Sequence, residues 1–237
     1  MKIVLCILTL NEIECLRALF DKIPHPGAEN GYDEIVVIDG GSTDGTINFF
    51  RERNIQVIGQ SKKGRGEAFQ LAFDKINTDA YLFFSPDGNE SISDLKKFRS
   101  YLEDGADIVI ASRMMKESVN EEDALIFKWR KWANNVFNFF ANLLFNRSGK
   151  YITDSINGYR AITKAAAVQL RLDADDYTIE YQMTIRALKA RLNIVEFPTI
   201  EGKRVAGETG APSIPTGLRF IRRFFIELTR SGSTVTK

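Results

Sequence analysis

Residues Ala80–Ser91, Ala-Tyr-Leu-Phe-Phe-Ser-Pro-Asp-Gly-Asn-Glu-Ser, decide how the rest of the chain reads. Tyr81 to Phe84 is a short, unbroken apolar run suited to a strand in the core of a sheet. The run leads straight into a polar turn in which Pro86 and Gly88 break the pattern and hold the backbone open. Asp87 and Asn89 therefore stand side by side at the carboxyl end of a core strand, the edge at which open α/β sheets bind ligands. A carboxylate and an amide carbonyl are hard oxygen ligands, suited to Mg²⁺ or Mn²⁺ carrying a nucleoside diphosphate. The competing reading is an Asx-rich turn that caps a helix starting near Ser93.

Working outward, the same grammar repeats. Lys2–Leu8 is an apolar strand followed by Thr9-Leu10-Asn11-Glu12 and a helix to about Ile23. After a loop rich in Pro, Gly and Asn, the strand Glu34–Ile38 ends on Asp39-Gly40-Gly41-Ser42-Thr43-Asp44-Gly45-Thr46. The paired glycines let the backbone approach a ligand, and Ser42 to Asp44 can cap the next helix. Ile55–Ile58 reads as a third strand, and Gly64-Arg65-Gly66 opens a helix to about Lys75. Beyond the central turn, Ser93–Leu102 is helical and Asp107–Ala111 is a fifth strand. Strands alternating with helices, each strand ending in a polar loop, predict a three-layer α/β/α architecture with a mostly parallel central sheet. No internal repeat interrupts it, and no linker divides 1–237 into separate domains.

Composition narrows the partners. With 237 residues, 44% hydrophobic and 27% charged, the chain can bury a core, and a net charge of +1 argues against nucleic acid. Cys6 and Cys15 make no disulfide framework, which suits a reducing cytoplasm. The single histidine, His25, leaves no basis for a His-built zinc site or triad. The N-terminus reads as a strand rather than a signal peptide, and no apolar run approaches the ~20 residues of a spanning helix.

The second half has a different character. Ala124–Phe145 is a long helical segment without an acidic residue, mixing Lys128, Arg130 and Lys131 with Phe127, Trp129, Trp132, Phe137, Phe139 and Phe140. Leu218–Thr229 is a closing helix with apolar residues at near-helical spacing and arginines between them; the tail 231–237 is expected to fray. Such cationic, aromatic helices suit an anionic membrane surface; the plainer alternative is a core-packed helix or subunit interface. Tyr177–Ala190 reads as a further helix and Ile194–Ile200 as a further strand.

Several side chains are candidates for chemistry, each with a plainer alternative. Asp39 can read a base or ribose, or simply cap its loop. Gly64 and Gly66 resemble a phosphate cradle at a helix N-terminus, without the spacing of a dinucleotide fingerprint. Arg113, Arg160 and Arg204 present guanidinium forks that match phosphate, or form ordinary ion pairs. Glu180 sits where a first-turn acid favours a helix.

In this order, Leu-Thr-Leu-Asn-Glu, Asp-Gly-Gly-Ser-Thr-Asp-Gly-Thr, Gly-Arg-Gly-Glu-Ala, Ser-Pro-Asp-Gly-Asn, Ala-Ser-Arg and Asp154-Ser-Ile-Asn-Gly-Tyr-Arg160 resemble the GT-A glycosyltransferases of family 2, in their polyprenyl-phosphate (dolichyl-phosphate) sugar synthase branch. The likeness covers 1–165 well and 176–210 loosely. It implies a GDP- or UDP-linked sugar donor held by Thr9, Asn11, Glu12, Asp39, Gly64 and Gly66. It implies Mg²⁺ or Mn²⁺ on Asp87, Asn89 and Ser91, and a polyprenyl or dolichyl phosphate acceptor met by Arg113, Arg160 and Arg204. Residues 1–112 would form the nucleotide-sugar half and 113–237 the acceptor half, peripheral on the cytoplasmic face of a membrane. The chain departs from the family at Leu8 and Leu10, where Pro and Tyr are usual, at Asn89, usually Asp, and at Arg204-Val-Ala-Gly207, which lacks a following Lys. Two rivals stand beside this reading: a hydroxyl acceptor with Asp154 as general base, and a non-catalytic peripheral membrane protein on the same fold.

Overall fold

The computed structural model describes residues 1–120, 123, 128–147, 149–206 and 213–230, the side chains of Ser213 and Ile214 excepted. Its elements run β1 Ile3–Thr9, α1 Ile13–Leu19, β2 Glu34–Asp39, α2 Thr46–Arg51, β3 Gln56–Gly59, α3 Arg65–Lys75, β4 Ala80–Phe84, α4 Leu95–Glu103 and β5 Ile108–Ser112. Then follow α5 Trp129–Phe145, β6 Arg160–Thr163, α6 Lys164–Leu170, α7 Ile179–Ala190, β7 Ile194–Pro198 and α8 Ser213–Thr229.

The strands form one sheet in the order β3-β2-β1-β4-β6-β5-β7. All pairings are parallel except those of β6, which runs antiparallel to both β4 and β5. Successive side chains of a strand face opposite sides, so β1 feeds two cores. Val4 and Cys6 pack with Phe69 of α3, Phe145 of α5, Tyr181 of α7 and Phe220 of α8. Ile3, Leu5 and Ile7 pack with Leu16 of α1, Phe50 of α2 and Phe98 of α4. Helices thus cover both faces, the three-layer arrangement expected from the alternation of elements.

The departures lie in the second half. Residues 160–170 carry β6 and α6, neither of which the sequence pattern announces. In β6 only Ala161 and Ile162 are apolar, and its leading residue, Arg160, is fully buried. α5 is described from Trp129, so Phe127 and its neighbours 124–126 lie outside the described residues, as does the tail 231–237. α8 begins earlier than expected, with Pro215 in its first turn, where a missing N–H breaks no helical bond. Among the described residues no helix is long and apolar enough to cross a membrane.

Candidate active site

At the carboxyl edge of β1 and β2 the two polar loops are zipped together. Thr9 Oγ1 donates to Asp39 Oδ2 at 2.9 Å, and Asp39 Oδ1 accepts the N–H groups of Gly41 and Ser42. The hydroxyl of Ser42 also donates to Asp39 and accepts the N–H of Asn11. Asn11, at φ 57°, accepts the N–H of Thr43, and Asp44 accepts those of Ile13 and Thr46. Asp44 therefore serves the first turn of α2, as the sequence suggested, while Ser42 turns back to Asp39. Asp39 is fully buried, so it shapes this edge rather than presenting a free carboxylate.

One strand along, the Asp87 turn is covered by residues 201–206. Val205 N–H donates to the Asp87 carbonyl and Gly202 N–H to that of Asn89. Gly88, at φ +96°, is required twice over: a Cβ there would be strained and would stand 2.8 Å from Val205. Asp87 Oδ1 accepts the N–H of Asn89, and Oδ2 pairs with Arg204 Nη2 at 2.7 Å. Arg204 also lies 3.8 Å from Glu12, whose carboxyl is pushed up by burial and by the nearby charge of Asp87.

The amide oxygen of Asn89 is buried with no hydrogen-bond partner. Buried polar atoms are ordinarily satisfied, so an orphaned oxygen beside a carboxylate fits a hard divalent cation. Ser91 fits less well: its hydroxyl pairs with that of Ser93. Among the described residues no cluster of three His, Cys, Asp or Glu side chains forms, so any cation here would rest on Asp87 and Asn89 plus oxygens of the ligand it carries. Neither residue caps α4; Asp94 precedes that helix and bonds Thr199 and Lys97.

Two expectations are corrected. Gly64 and Gly66 do not form an open phosphate cradle: a Cβ on either would stand 2.2 or 2.1 Å from the carbonyl oxygens of Asp175 and Ala174. The glycines admit that backbone, and Asp175 already takes the N–H of Glu67 in the first turn of α3. Arg160 does not face an acceptor. Its guanidinium is sealed in the core, donating to the carbonyls of Asn157, Glu180 and Ser155 and to Thr184. Burial lowers its pKa to about 10.

Arg113 does reach the cleft, but in company. Nε and Nη2 hold the two oxygens of Asp154 at 2.8 and 3.1 Å, and Nη1 holds Glu201 at 3.2 Å. Burial pushes the Asp154 carboxyl up, yet the facing Arg113 more than reverses this and holds it below the usual range. Asp154 has no exposed surface and also accepts the N–H of Arg113 and of Asn157. A carboxylate so enclosed and paired is a poor proton acceptor.

These elements enclose a pocket of about 250 Å³ between the β4 turn, α5, α7 and α8. Its two arginines are both paired with protein, Arg113 as above and Arg65 with Glu180. Lining residues not singled out from the sequence include Glu90, Asn134, Tyr177, Glu201 and Thr216. Asn134 had a signal. Asn134, Asn138 and Asn142 of α5 and Asn146 at its C-terminal cap recur every four residues. Asn138 binds Thr153 and Ser155, Asn142 binds Ile152, and Asn146 binds Gly149 and Lys150. Asn134 continues the stripe into the pocket, and among the described residues its side chain has no hydrogen-bond partner.

Residues 4–165 match the family model Glycosyl transferase family 2, and the chain belongs to that family. Among curated relatives, Glycosyltransferase AglJ of Haloferax volcanii is 29% identical over 238 residues, covering 97% of this chain and 72% of the relative. The UDP-N-acetylglucosamine–dolichyl-phosphate N-acetylglucosaminyltransferase of Methanococcus voltae is 28% identical over 71% of this chain and 74% of its own length. The dolichol-phosphate mannosyltransferase of Pyrococcus furiosus is 26% identical over 88% and 59%. In fold, the chain superposes on glucosyl-3-phosphoglycerate synthase of Mycobacterium tuberculosis, solved with Mn²⁺, UDP and glucosyl-3-phosphoglycerate. That match has a TM-score of 0.73 at 17% identity, covering 100% of this chain and 83% of that one. The architecture is that of a GT-A glycosyltransferase.

Proposed function

We propose that this family 2 glycosyltransferase moves a sugar, with inversion, from a GDP- or UDP-linked donor onto a polyprenyl or dolichyl phosphate at the cytoplasmic face of a membrane. The observation that carries the choice of acceptor is the state of Asp154. A sugar hydroxyl needs a positioned base to take its proton, and the carboxylate expected for that task is buried and held on both oxygens by Arg113. A phosphate monoester brings ~1.5–2 negative charges of its own and attacks without a base. The names of the Methanococcus and Pyrococcus relatives support the same acceptor.

In this reading residues 1–112 hold the donor and 113–237 face the acceptor. Asp87 and Asn89 would hold Mg²⁺ or Mn²⁺, which when bound neutralises charge on the departing nucleoside diphosphate. Glu12, with the loop ordered by Thr9, Asn11 and Asp39, lies at the nucleoside end. Asn134, which lines the same pocket as Arg113, would offer amide N–H donors to the acceptor phosphate. Outside the pocket, α5 exposes Trp132, Val136, Phe139 and Leu143, and α8 exposes Leu218, Ile221 and Phe225. These apolar faces suit a lipid tail and the bilayer interface, with Arg219 and Arg222 toward anionic headgroups.

The test is turnover of UDP- and GDP-sugars with Mn²⁺, with and without polyprenyl phosphate on anionic vesicles. Formation of a sugar-phosphate lipid from one donor is the expected result. Transfer to a soluble hydroxyl acceptor, with none to the lipid phosphate, refutes the reading.

A further inference from the structure

Glu90 stands in the pocket wall beside the Asp87–Asn89 turn, and its carboxyl is half used. Oε2 accepts the N–H of Ser85 at 2.7 Å, which fixes the side chain at the end of β4. Among the described residues Oε1 has no hydrogen-bond partner, and it is not one of the sealed, orphaned buried atoms, which are Asn89 Oδ1 and Arg99 Nε. It therefore opens on the pocket that Glu90 lines. Among the described residues no arginine or lysine pairs with Glu90. The two arginines of the pocket are engaged elsewhere, Arg65 by Glu180 and Arg113 by Asp154 and Glu201.

We propose that Glu90 is a specificity-determining residue that hydrogen-bonds a hydroxyl of the transferred sugar. A hydroxyl both donates and accepts, so it satisfies either oxygen of a carboxyl group, protonated or not. The inference rests on the proposed donor chemistry and deepens it.

The experiment compares wild type, Glu90→Gln and Glu90→Leu by calorimetric binding of UDP and UDP-glucose with Mn²⁺, and of GDP and GDP-mannose in parallel. Glu90→Leu should weaken the nucleotide-sugar ~2–10-fold, the scale of one net hydrogen bond, while leaving the bare nucleoside diphosphate unchanged. Glu90→Gln keeps an acceptor for Ser85 and an amide group for the sugar, so it should fold and bind the nucleotide-sugar like wild type. A Glu90→Leu variant that binds the nucleotide-sugar like wild type, or one that loses sugar and bare diphosphate alike, overturns this inference alone. Failure of wild type to bind either nucleoside diphosphate overturns it together with the donor reading.

Discussion

Asp154→Asn separates the two acceptor chemistries, and the structure sets its magnitude. The carboxylate accepts from Arg113 Nε, Nη2 and backbone N–H and from Asn157 N–H, all between 2.8 and 3.1 Å, with no exposed surface. Asn keeps one acceptor oxygen but turns an amide donor toward the guanidinium and removes the charge that Arg113 faces. Breaking a buried pair costs ~3–5 kcal/mol. Glu201 still holds Arg113, so the lower end, ~3 kcal/mol, is expected, or about 6–12 °C in Tm for a chain of this size. The pH dependence follows from linkage. The folded pKa of Asp154 lies below its ordinary value, so its contribution is present above about pH 4, the unfolded pKa. It is lost as pH falls through the lower folded value. Wild type and variant should therefore differ most at pH 7 and converge below pH 4 in urea titrations followed by circular dichroism. In transfer assays below the variant's Tm, kcat should fall about tenfold or less, ~1.4 kcal/mol of barrier. A variant with unchanged stability and kcat reduced ~10²–10⁴-fold, as for a lost base, would refute the reasoning.

Gly66→Ala should destabilise by more than ~1 kcal/mol, since its Cβ meets the Ala174 carbonyl at 2.1 Å; unaltered melting would show that the glycine serves something else. The Glu90 carboxyl is raised to about 8 by burial and by Asp87. Between about pH 4.5 and 8 the folded chain thus keeps a proton the unfolded chain has released, so its stability falls as pH rises; Glu90→Gln should remove that slope in metal-free buffer. Arg219→Glu with Arg222→Glu should abolish flotation with anionic vesicles at low salt without lowering Tm, because both are exposed. Arg223 is left intact, for it bonds Thr178 and faces Asp173 and Glu227. Arg204→Ala should weaken nucleotide-sugar binding at least ~10-fold, the scale of one charge-assisted contact, and lower Tm less than Arg113→Ala, because it strands one close carboxylate, Asp87, where Arg113→Ala strands two.

The first half of the fold was legible because β1, β2 and β4 are apolar runs largely buried on both faces, each ending in a polar loop. Ile3–Thr9, Glu34–Asp39 and Ala80–Phe84 could hardly read otherwise. β6 was not legible: four residues led by Arg160 look like a surface loop until the carbonyls that satisfy the guanidinium are folded around it. The glycines of Gly64-Arg65-Gly66 announced a close approach, but only the tertiary structure shows that the approaching group is the 174–175 backbone. In α5 the aromatic and basic residues drew attention away from the asparagine stripe. The pairing of Arg113 with Asp154 joins residues that are distant in sequence, and no periodicity encodes it.

That pairing also ranks the arginines of the cleft. Arg65 is locked to a nearly sealed Glu180. Arg113 commits three of its five side-chain N–H donors to two carboxylates. Each of these cations arrives at the cleft already neutralised, and moving either toward a phosphate would strand buried carboxylates, a cost of several kcal/mol. Arg204 differs. It makes one close contact, to Asp87, and a long one to Glu12, and its side chain is a quarter exposed. Exchanging Asp87 for a phosphate oxygen costs it one ion pair and gains another of the same kind. The cation best able to follow the negative charge of an incoming ligand is therefore the one on the segment that covers the Asp87 turn, while the better-buried arginines hold the cleft in shape.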